Sequence, residues 1–547
     1  MRIGIWAGIL AALLLVPSAA SALPTGPAEL PTASETREPE AVDLVPRSSD
    51  QSAIEALLTE PTAAADSDLR YRDAILAFYE DRDFRPVWIV DGALTPAAES
   101  VIARLSKADT DGLDPKAYEV DRAMLDTGPH PDAPDLATTE LSLSDAVIAF
   151  AHDAQSGRID PRRISSIITL TPPVPDPLVS LKRVASSSNP VDALDAFNPP
   201  HPQFRALKAA LAAERASEIE RPEPVPSGRN LRLGDSDPRV GLLRQRLGAT
   251  LHRGSDVSVY DEGVVEAVKA FQSEHGLRPD GIVGPNTLAV MNRGLERDRE
   301  ADILVNMERW RWMPRDLGAT YVFVNIPEFK VRIQREGALA YEGRVVVGKS
   351  SNPTPTFSDE IEHLVVNPYW NVPYSIASKE MLSSIQKNPE GYFASRGYEV
   401  VSNGRVVSPS SISWSPAALR HVRIRQKPGR GNALGNIKFM FPNEHAVYLH
   451  DTPSRNLFSK PVRAFSHGCV RVDQPLDFAD ALLAEEPHWN ASQIKKLIGG
   501  GERYITLDRH IPVHLAYFTL WAEDDGTLDA FGDVYGYDRR VEKALSN

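Results

Sequence analysis

The sequence predicts a multidomain α+β protein: helical from about residue 67 to 295, then mainly β from 300 to 510 with an inserted lobe at 374–436. Three observations lead there. Apolar residues recur three and four apart in the first half, as in Tyr71-Ala74-Ile75-Phe78-Tyr79. Pro222, Pro224 and Pro226 mark a linker before a second compact stretch. From about Asn306 the pattern changes to β-branched runs broken by Gly, Pro and polar turns. A chain of 547 residues is also too long for one core and implies about three domains.

The first residues have the form of a signal peptide, assigned to 1–22. Arg2 precedes an apolar run from Ile3 to Val16, and Ala20-Ser21-Ala22 makes an A-x-A cleavage site. An uncleaved anchor is the alternative, since the run approaches spanning length; Pro17 and the small residues after it favour cleavage. No cysteine follows the run, so lipid attachment there is excluded, and no later segment is apolar enough to span a membrane. Residues 23–66, rich in Pro, Ala, Glu, Ser and Thr without periodicity, predict a disordered tether.

Helical patterns fill 67–228: Ala97-Val101-Leu105, Leu143-Ala146-Val147-Phe150 and Phe204-Leu207-Leu211. Asp109-Thr110-Asp111-Gly112-Leu113-Asp114 has some likeness to a calcium loop. Its glycine is misplaced and no closing glutamate follows, so it reads as a turn. In 229–295, Asp237-Pro238 opens a helix whose face is Val240, Leu243 and Leu247, and Val264, Val265, Val268 and Phe271 make a second. Strands are predicted at Tyr321–Ile326, Lys330–Ile333, Gly343–Gly348, His363–Val366 and Ala446–His450, with a more helical interruption at 374–436 and a C-terminal extension at 511–547.

The net charge of −14 argues against a general nucleic-acid binder. Locally the balance reverses: from Arg420 to Arg471 ten Lys/Arg face two acids, Glu444 and Asp451. That run reads either as a solvated basic face or as a cleft for a carboxylate-bearing substrate. Its position favours the cleft, because it surrounds Cys469, the one cysteine of the chain, in Ser466-His467-Gly468-Cys469-Val470-Arg471.

A lone cysteine in an exported chain suggests a reactive thiol or an intermolecular disulfide. Cysteine attacks carbonyls as its thiolate, and a nearby imidazole can take the proton and hold the resulting ion pair. His450 closes a predicted strand, with Tyr448 on the same face by alternation; His467 can point into the same pocket but is less free to align with sulfur. Gly468 lets the backbone approach closely, and the N–H groups of Gly468 and Cys469 are candidates for an oxyanion site. The alternatives are a metal site of His445, His450, His467 and Cys469, whose spacing fits no usual zinc pattern, and an inert buried cysteine.

Two resemblances carry the reading further. Leu231-Arg232-Leu233-Gly234-Asp235, the Ala-Val-x-x-Phe-Gln of 267–272 and Asp280-Gly281-Ile282-Val283-Gly284-Pro285 resemble the small three-helix peptidoglycan-binding domain. His450, fifteen residues and then Ser466-His467-Gly468-Cys469 is similar to the signature of the L,D-transpeptidase (YkuD) catalytic domain. Asn306-Met307-Glu308-Arg309-Trp310-Arg311-Trp312, Asn432-Ala433-Leu434-Gly435 and Tyr448-Leu449-His450-Asp451-Thr452-Pro453 further resemble the large YcbB-type members, which share the order of signal, helical scaffold domain, peptidoglycan-binding domain and catalytic domain with a capping insertion.

The resemblance implies Cys469 as acylated nucleophile, His450 as its base oriented by the Asp451 carbonyl, and His467 and Gly468 on the oxyanion side. Tyr448, Arg471 and Asn432 are implied as substrate-binding residues. Many members carry Asn where Arg471 stands here, which leaves the role of that side chain open; an Arg there suits a substrate carboxylate. The implied reaction is a periplasmic, wall-associated acyl transfer without metal or organic cofactor. It joins third-position diaminopimelate residues of two peptidoglycan stems through a cysteine thioester, with carbapenem-type β-lactams expected to acylate the same sulfur. An L,D-carboxypeptidase, an enzyme attaching a protein to the wall and a non-catalytic wall-binding scaffold are the rivals.

Overall fold

A computed structural model describes residues 47–60, 69–120, 133–217, 223–251, 256–292, 298–523 and 526–546. The signal segment and most of the expected tether lie outside them. One part of the tether is ordered, contrary to expectation: Ser49–Thr59 form helix α1, closed by a capping box in which Gln51 N donates to Ser48 Oγ (3.2 Å) and Ser48 N to Gln51 Oε1 (2.9 Å). Ile54 and Leu58 of α1 are buried in the core formed around the long helix α2 (Ala133–Ser156), so a short apolar stripe outweighs the polar composition around it. The Asp109–Asp114 segment is a turn closed by Gly112 (φ +73°); its Asp111 is buried and binds Arg104 and Lys208.

Residues 225–291 have a separate core. Helices α4 (Arg239–Leu247), α5 (Glu262–Glu274) and α6 (Pro285–Met291), which follow α3 (Pro202–Ala216), enclose Val240, Leu243, Val264, Val268, Leu288 and Met291. Gln272 explains two of its sequence signals at once. Buried on α5, it accepts from Gly281 N (2.9 Å) and donates to Ile282 O (3.0 Å), locking the Asp280–Gly284 turn onto the helix.

Helix α7 (Arg299–Trp312) joins the helical and β regions, and its Asn306–Trp312 segment is buried throughout. Asn306 Oδ1 accepts from Thr519 N (3.0 Å). Glu308 Oε1 accepts from Arg158 N (2.8 Å) and Ile159 N (3.0 Å), and Arg311 donates to Asp111 O (2.6 Å). Trp310 stacks on Phe518 at 4.4 Å between ring centroids. The segment therefore staples the helical domain to the β domain, and these bonds offset part of the cost of burying its charged groups, since Glu308 Oε2, Arg309 Nη2 and Arg311 Nε have no hydrogen-bond partner among the described residues.

The β domain is built on a nine-stranded sheet. In chain order its strands are β1 (Thr320–Asn325), β2 (Lys330–Arg335), β3 (Ala338–Gly348), β4 (Phe357–Val366), β5 (Ile437–Met440), β6 (Leu449–His450), β7 (Ala464–Ser466), β8 (Val470–Val472) and β9 (Arg503–Ala516). Their spatial order is β7-β3-β8-β6-β5-β4-β9-β1-β2, and β3 also pairs with β2, which curls the sheet back on itself. One face buries Val322, Val345, Leu364, Phe439, Leu449 and Val470. The expected boundary at residue 510 is overturned: β9 runs through it, pairing Val513 with Val322 and Asp359, and Tyr517, Phe518 and Trp521 complete the same core.

The expected strand at Ala446–His450 is also shorter, because Asn443 Oδ1 accepts from the His445 and Val447 N–H groups (both 3.1 Å) and holds Ala446 at φ +51°. The inserted lobe is more β than its composition predicts. Strands at 370–371, 398–402, 405–407 and 423–426 form a small antiparallel sheet over helices, with Ile385, Phe393, Val400, Trp414 and Ile424 inside. Among the described residues no helix is long and apolar enough to cross a membrane.

Candidate active site

Strand register brings the predicted chemistry together. Parallel pairing of β6 with β8 sets Leu449 against Val470 and His450 against Arg471, and Val470 N donates to Tyr448 O at 3.1 Å. Leu449, Val470 and Val472 face the core, so by alternation Tyr448, His450, Cys469 and Arg471 share the opposite face. Tyr448 then lies directly across from Cys469, and His450 lies on the diagonal, within reach of a side chain. Cys469 is half-buried. Its polar neighbours are Tyr448, which hydrogen-bonds the sulfur through side chain and backbone, and the Arg471 guanidinium.

The turn into Cys469 is fixed by backbone contacts. Gly468 has φ +118°, a conformation a side chain disfavours even though space is available. Thr354 Oγ1 donates to Gly468 O (2.8 Å) and accepts from Gly348 N (2.8 Å). Ser466 Oγ donates to Cys469 O (2.5 Å) and accepts from Gly468 N (3.2 Å). That last bond corrects the expectation for Gly468, whose N–H is already engaged by Ser466. The Cys469 N–H has no acceptor among the described residues, which leaves it as the backbone donor for an oxyanion.

His450 is 4% exposed, and its Nδ1 hydrogen-bonds the Asp451 carbonyl. If Nδ1 carries the proton there, Nε2 carries the lone pair. Asp451 is itself held: Asn436 N donates to Oδ2 (2.7 Å), Thr452 N to Oδ1 (2.6 Å), and Arg455 pairs with it. Gly435 packs so close to this carboxylate that an added Cβ would meet it at 2.2 Å. Burial, then the positive charges of Arg471 and Lys438, push the His450 imidazole down to about 3, against the pull of the Asp451 and Leu434 carbonyls. Burial also raises the Cys469 thiol, with Tyr448 and Arg471 only partly offsetting it. Both shifts favour the uncharged forms, thiol and neutral imidazole, over the expected thiolate–imidazolium pair.

Other predicted residues fall elsewhere. His467 is turned from the sulfur toward the inserted lobe: its Nε2 lies 2.6 Å from Glu380 Oε1 and 3.4 Å from Lys349 Nζ. Asn432, expected to bind substrate, is 1% exposed and fully used. It donates to Pro368 O (3.0 Å) and Lys427 O (2.9 Å) and accepts from Leu434 N (2.8 Å), pinning the base of the lobe. Asn432→Ala should therefore cost about 2 kcal/mol of stability, read by thermal unfolding, without a selective rise in substrate KM.

Much of the basic run is structural as well. Arg425 and Lys427 share Glu399, Arg420 lies over Tyr374 (4.6 Å), and Arg463 donates to Val345 O (3.1 Å) and Phe329 O (3.0 Å). His445 is occupied by Thr169 Oγ1 at 2.8 Å, and among the described residues no three His, Cys, Asp or Glu side chains converge as metal ligands. A cavity of about 400 Å³ lined by Asp451, Arg455, Asp473 and Leu476 includes neither Cys469 nor His450. Glu380 gave no signal in the sequence and Lys438 none beyond its place in the basic run; only register and tertiary contact bring them here.

Three stretches of the chain match known protein families. Residues 319–489 match the family described as L,D-transpeptidase catalytic domain (YkuD), 73–211 match a scaffold domain, and 236–291 match "Putative peptidoglycan binding domain". A Haemophilus influenzae protein described as "Putative L,D-transpeptidase" is 37% identical over 248 residues, 45% of this chain and 50% of that protein. The chain thus spans half the length of that curated relative. Among solved structures, an L,D-transpeptidase from Mycobacterium smegmatis is similar at 12% identity, covering 36% of this chain and 58% of its own with a TM-score of 0.19. One from Xylanimonas cellulosilytica is similar at 16%, covering 53% and 98%, with a TM-score of 0.15.

Proposed function

We propose that this chain, which carries a YkuD-type L,D-transpeptidase catalytic domain together with a scaffold domain and a peptidoglycan-binding domain, is a wall-associated cysteine acyltransferase acting outside the cytoplasm. The observation that carries the reading is the shared face of β6 and β8, where a half-buried thiol, a buried imidazole and a guanidinium converge.

Cys469 Sγ attacks the carbonyl of the third residue, diaminopimelate, in a tetrapeptide stem while His450 takes the thiol proton. The tetrahedral oxyanion is met by the Cys469 N–H. Collapse breaks the amide, the imidazolium returns its proton to the leaving amine of D-alanine, and a thioester remains. The side-chain amine of a second stem's diaminopimelate then attacks the thioester, giving a proton to His450. An amide cross-link forms and the thiol is regenerated. Dividing one amide exchange into two displacements is what the thioester achieves. A ground-state thiol requires proton transfer to accompany attack, so substrate must bring the carbonyl and exclude water together. Tyr448, hydrogen-bonded to the sulfur, and Arg471, suited to a substrate carboxylate, would hold the donor.

Incubating the protein with tetrapeptide-rich sacculi and analysing muropeptides by mass spectrometry tests this. Dimers linked between third-position residues are expected. Tripeptides alone would indicate an L,D-carboxypeptidase, a muropeptide joined to protein would indicate an attachment enzyme, and unaltered muropeptides would leave a wall-binding scaffold.

A further inference from the structure

The catalytic face continues beyond β6. Antiparallel pairing sets Lys438 of β5 against His450, Val365 of β4 against Lys438, and Tyr504 of β9 against Val365. One row across the sheet therefore reads Arg471, His450, Lys438, Val365, Tyr504. The adjacent row on the same face reads Cys469, Tyr448, Met440, His363, Thr506. His450 stands between two cations, one strand from each, so roughly 10 Å separates the Arg471 and Lys438 backbones.

Lys438 is half-buried and has no carboxylate within 4.0 Å and no hydrogen bond among the described residues. Its Nζ lies over the Tyr448 ring at 5.7 Å. The nearest acid acting on it, Glu502, has Oε1 taken by Tyr369 N at 2.8 Å. Burial lowers the ammonium's pKa, and Glu502 compensates only in part. A partly desolvated cation without a direct counter-ion is unfavourable, and a cation–π contact worth about 1 kcal/mol offsets little of that. Arg471 repeats the feature on the other side of His450, with Nε buried and without a hydrogen-bond partner. Beyond Lys438, His363 and the 59% exposed Tyr504 lie 5.8 Å apart as an open aromatic shelf.

Resting on the acyl-transfer reading above, we propose that Lys438 is a substrate-binding residue, holding a carboxylate of a peptide stem on the side of His450 away from Cys469. The peptide would cross the sheet from Arg471 over His450 to Lys438 and rest on the shelf of His363 and Tyr504. Donor and acceptor stems both carry carboxylates, and the experiment separates them.

The test is a cycle of Lys438→Met and Lys438→Arg, each assayed with donor and acceptor stems bearing free or amidated carboxylates. In the unaltered protein, amidating one of the two stems should lower kcat/KM about tenfold. Lys438→Met should show the same tenfold loss with the free acid and become indifferent to amidation of that stem, while Lys438→Arg recovers most of the loss. Indifference in the donor arm assigns the subsite to the donor, and in the acceptor arm to the acceptor. Losses from substitution and amidation that multiply in both arms overturn the subsite, since residue and carboxylate then act separately. An unaltered protein forming no acyl-enzyme at Cys469 from the donor overturns the acyl-transfer reading and the subsite with it, an outcome distinct from multiplicative losses in an enzyme that acylates.

Discussion

Cys469→Ser is expected to lose cross-linking by on the order of 10³-fold or more while keeping its fold. The hydroxyl is smaller than the thiol and can keep the bond to Tyr448, and the turn is held by Thr354 and Ser466 through backbone atoms that the substitution leaves in place. What disappears is the acidity and polarizability of sulfur. A buried imidazole pushed down to about 3 is a weak base, barely matched to a thiol and far from matched to an alcohol. Muropeptide analysis checks the loss of activity, and thermal unfolding checks the fold. Intact-protein mass spectrometry adds a second readout: a carbapenem-type β-lactam should add once to the unaltered protein and not to Cys469→Ser. An adduct on the serine variant would move the nucleophile elsewhere.

The order of scaffold, peptidoglycan-binding and catalytic domains and the shared face of Tyr448 and His450 were legible in the sequence because each rests on local rules. Alternation alone put Tyr448 and His450 on one face, and the spacing of β-branched runs located most strands of the large sheet. The errors share a different cause. The resemblance implies Asn432 as a substrate contact, and a polar residue in a loop looks the same in sequence whether it meets a ligand or three backbone groups; only its burial tells them apart. His467, beside the nucleophile in sequence, is committed to Glu380, 87 positions upstream. Ionisation was illegible too, since burial beneath several elements disfavours the charged form of both His450 and Cys469, and cations on β5 and β8 add to this at His450 alone. Lys438 belongs to the basic run, but its place beside His450 depends on the register of β5 with β6, which the intervening loop conceals.

The Glu380–His467 contact gives the inserted lobe a physical link to the nucleophile's turn. Asn432 fixes the base of that lobe and Glu380 reaches from one of its helices to the Ser466–Cys469 motif, so movement of the lobe would be felt one residue from Gly468. The electrostatic part assigned to the basic run shrinks accordingly, because Arg425 and Lys427 already answer Glu399. On the catalytic sheet itself, Arg471 and Lys438 are cations without a carboxylate within 4.0 Å among the described residues.

His450→Ala is expected to lower the acylation rate by about 10²- to 10⁴-fold, the usual worth of a positioned base, whereas His445→Ala, with its ring bound to Thr169, should leave it within a few fold. The pH dependence makes the prediction sharper. Depression of His450 to about 3 means that its basic form is present at every pH above that value and is lost only below it. Elevation of the thiol means that Cys469 stays protonated through neutrality and ionises only above its ordinary range. The competent neutral pair therefore dominates from about pH 5 to about pH 8, and acylation should be level across that window without an inflection near 6.5. Above it the rate should climb as thiolate forms unaided. The ultraviolet absorbance of a thiolate should likewise be absent from pH 5 to about 8. In His450→Ala the level region should vanish, leaving a rate that follows thiol ionisation alone and rises with each step of pH. A bell or a step centred near 6.5 in the unaltered protein would show instead that imidazole and thiol form an ion pair at rest, and the neutral starting state would have to be abandoned.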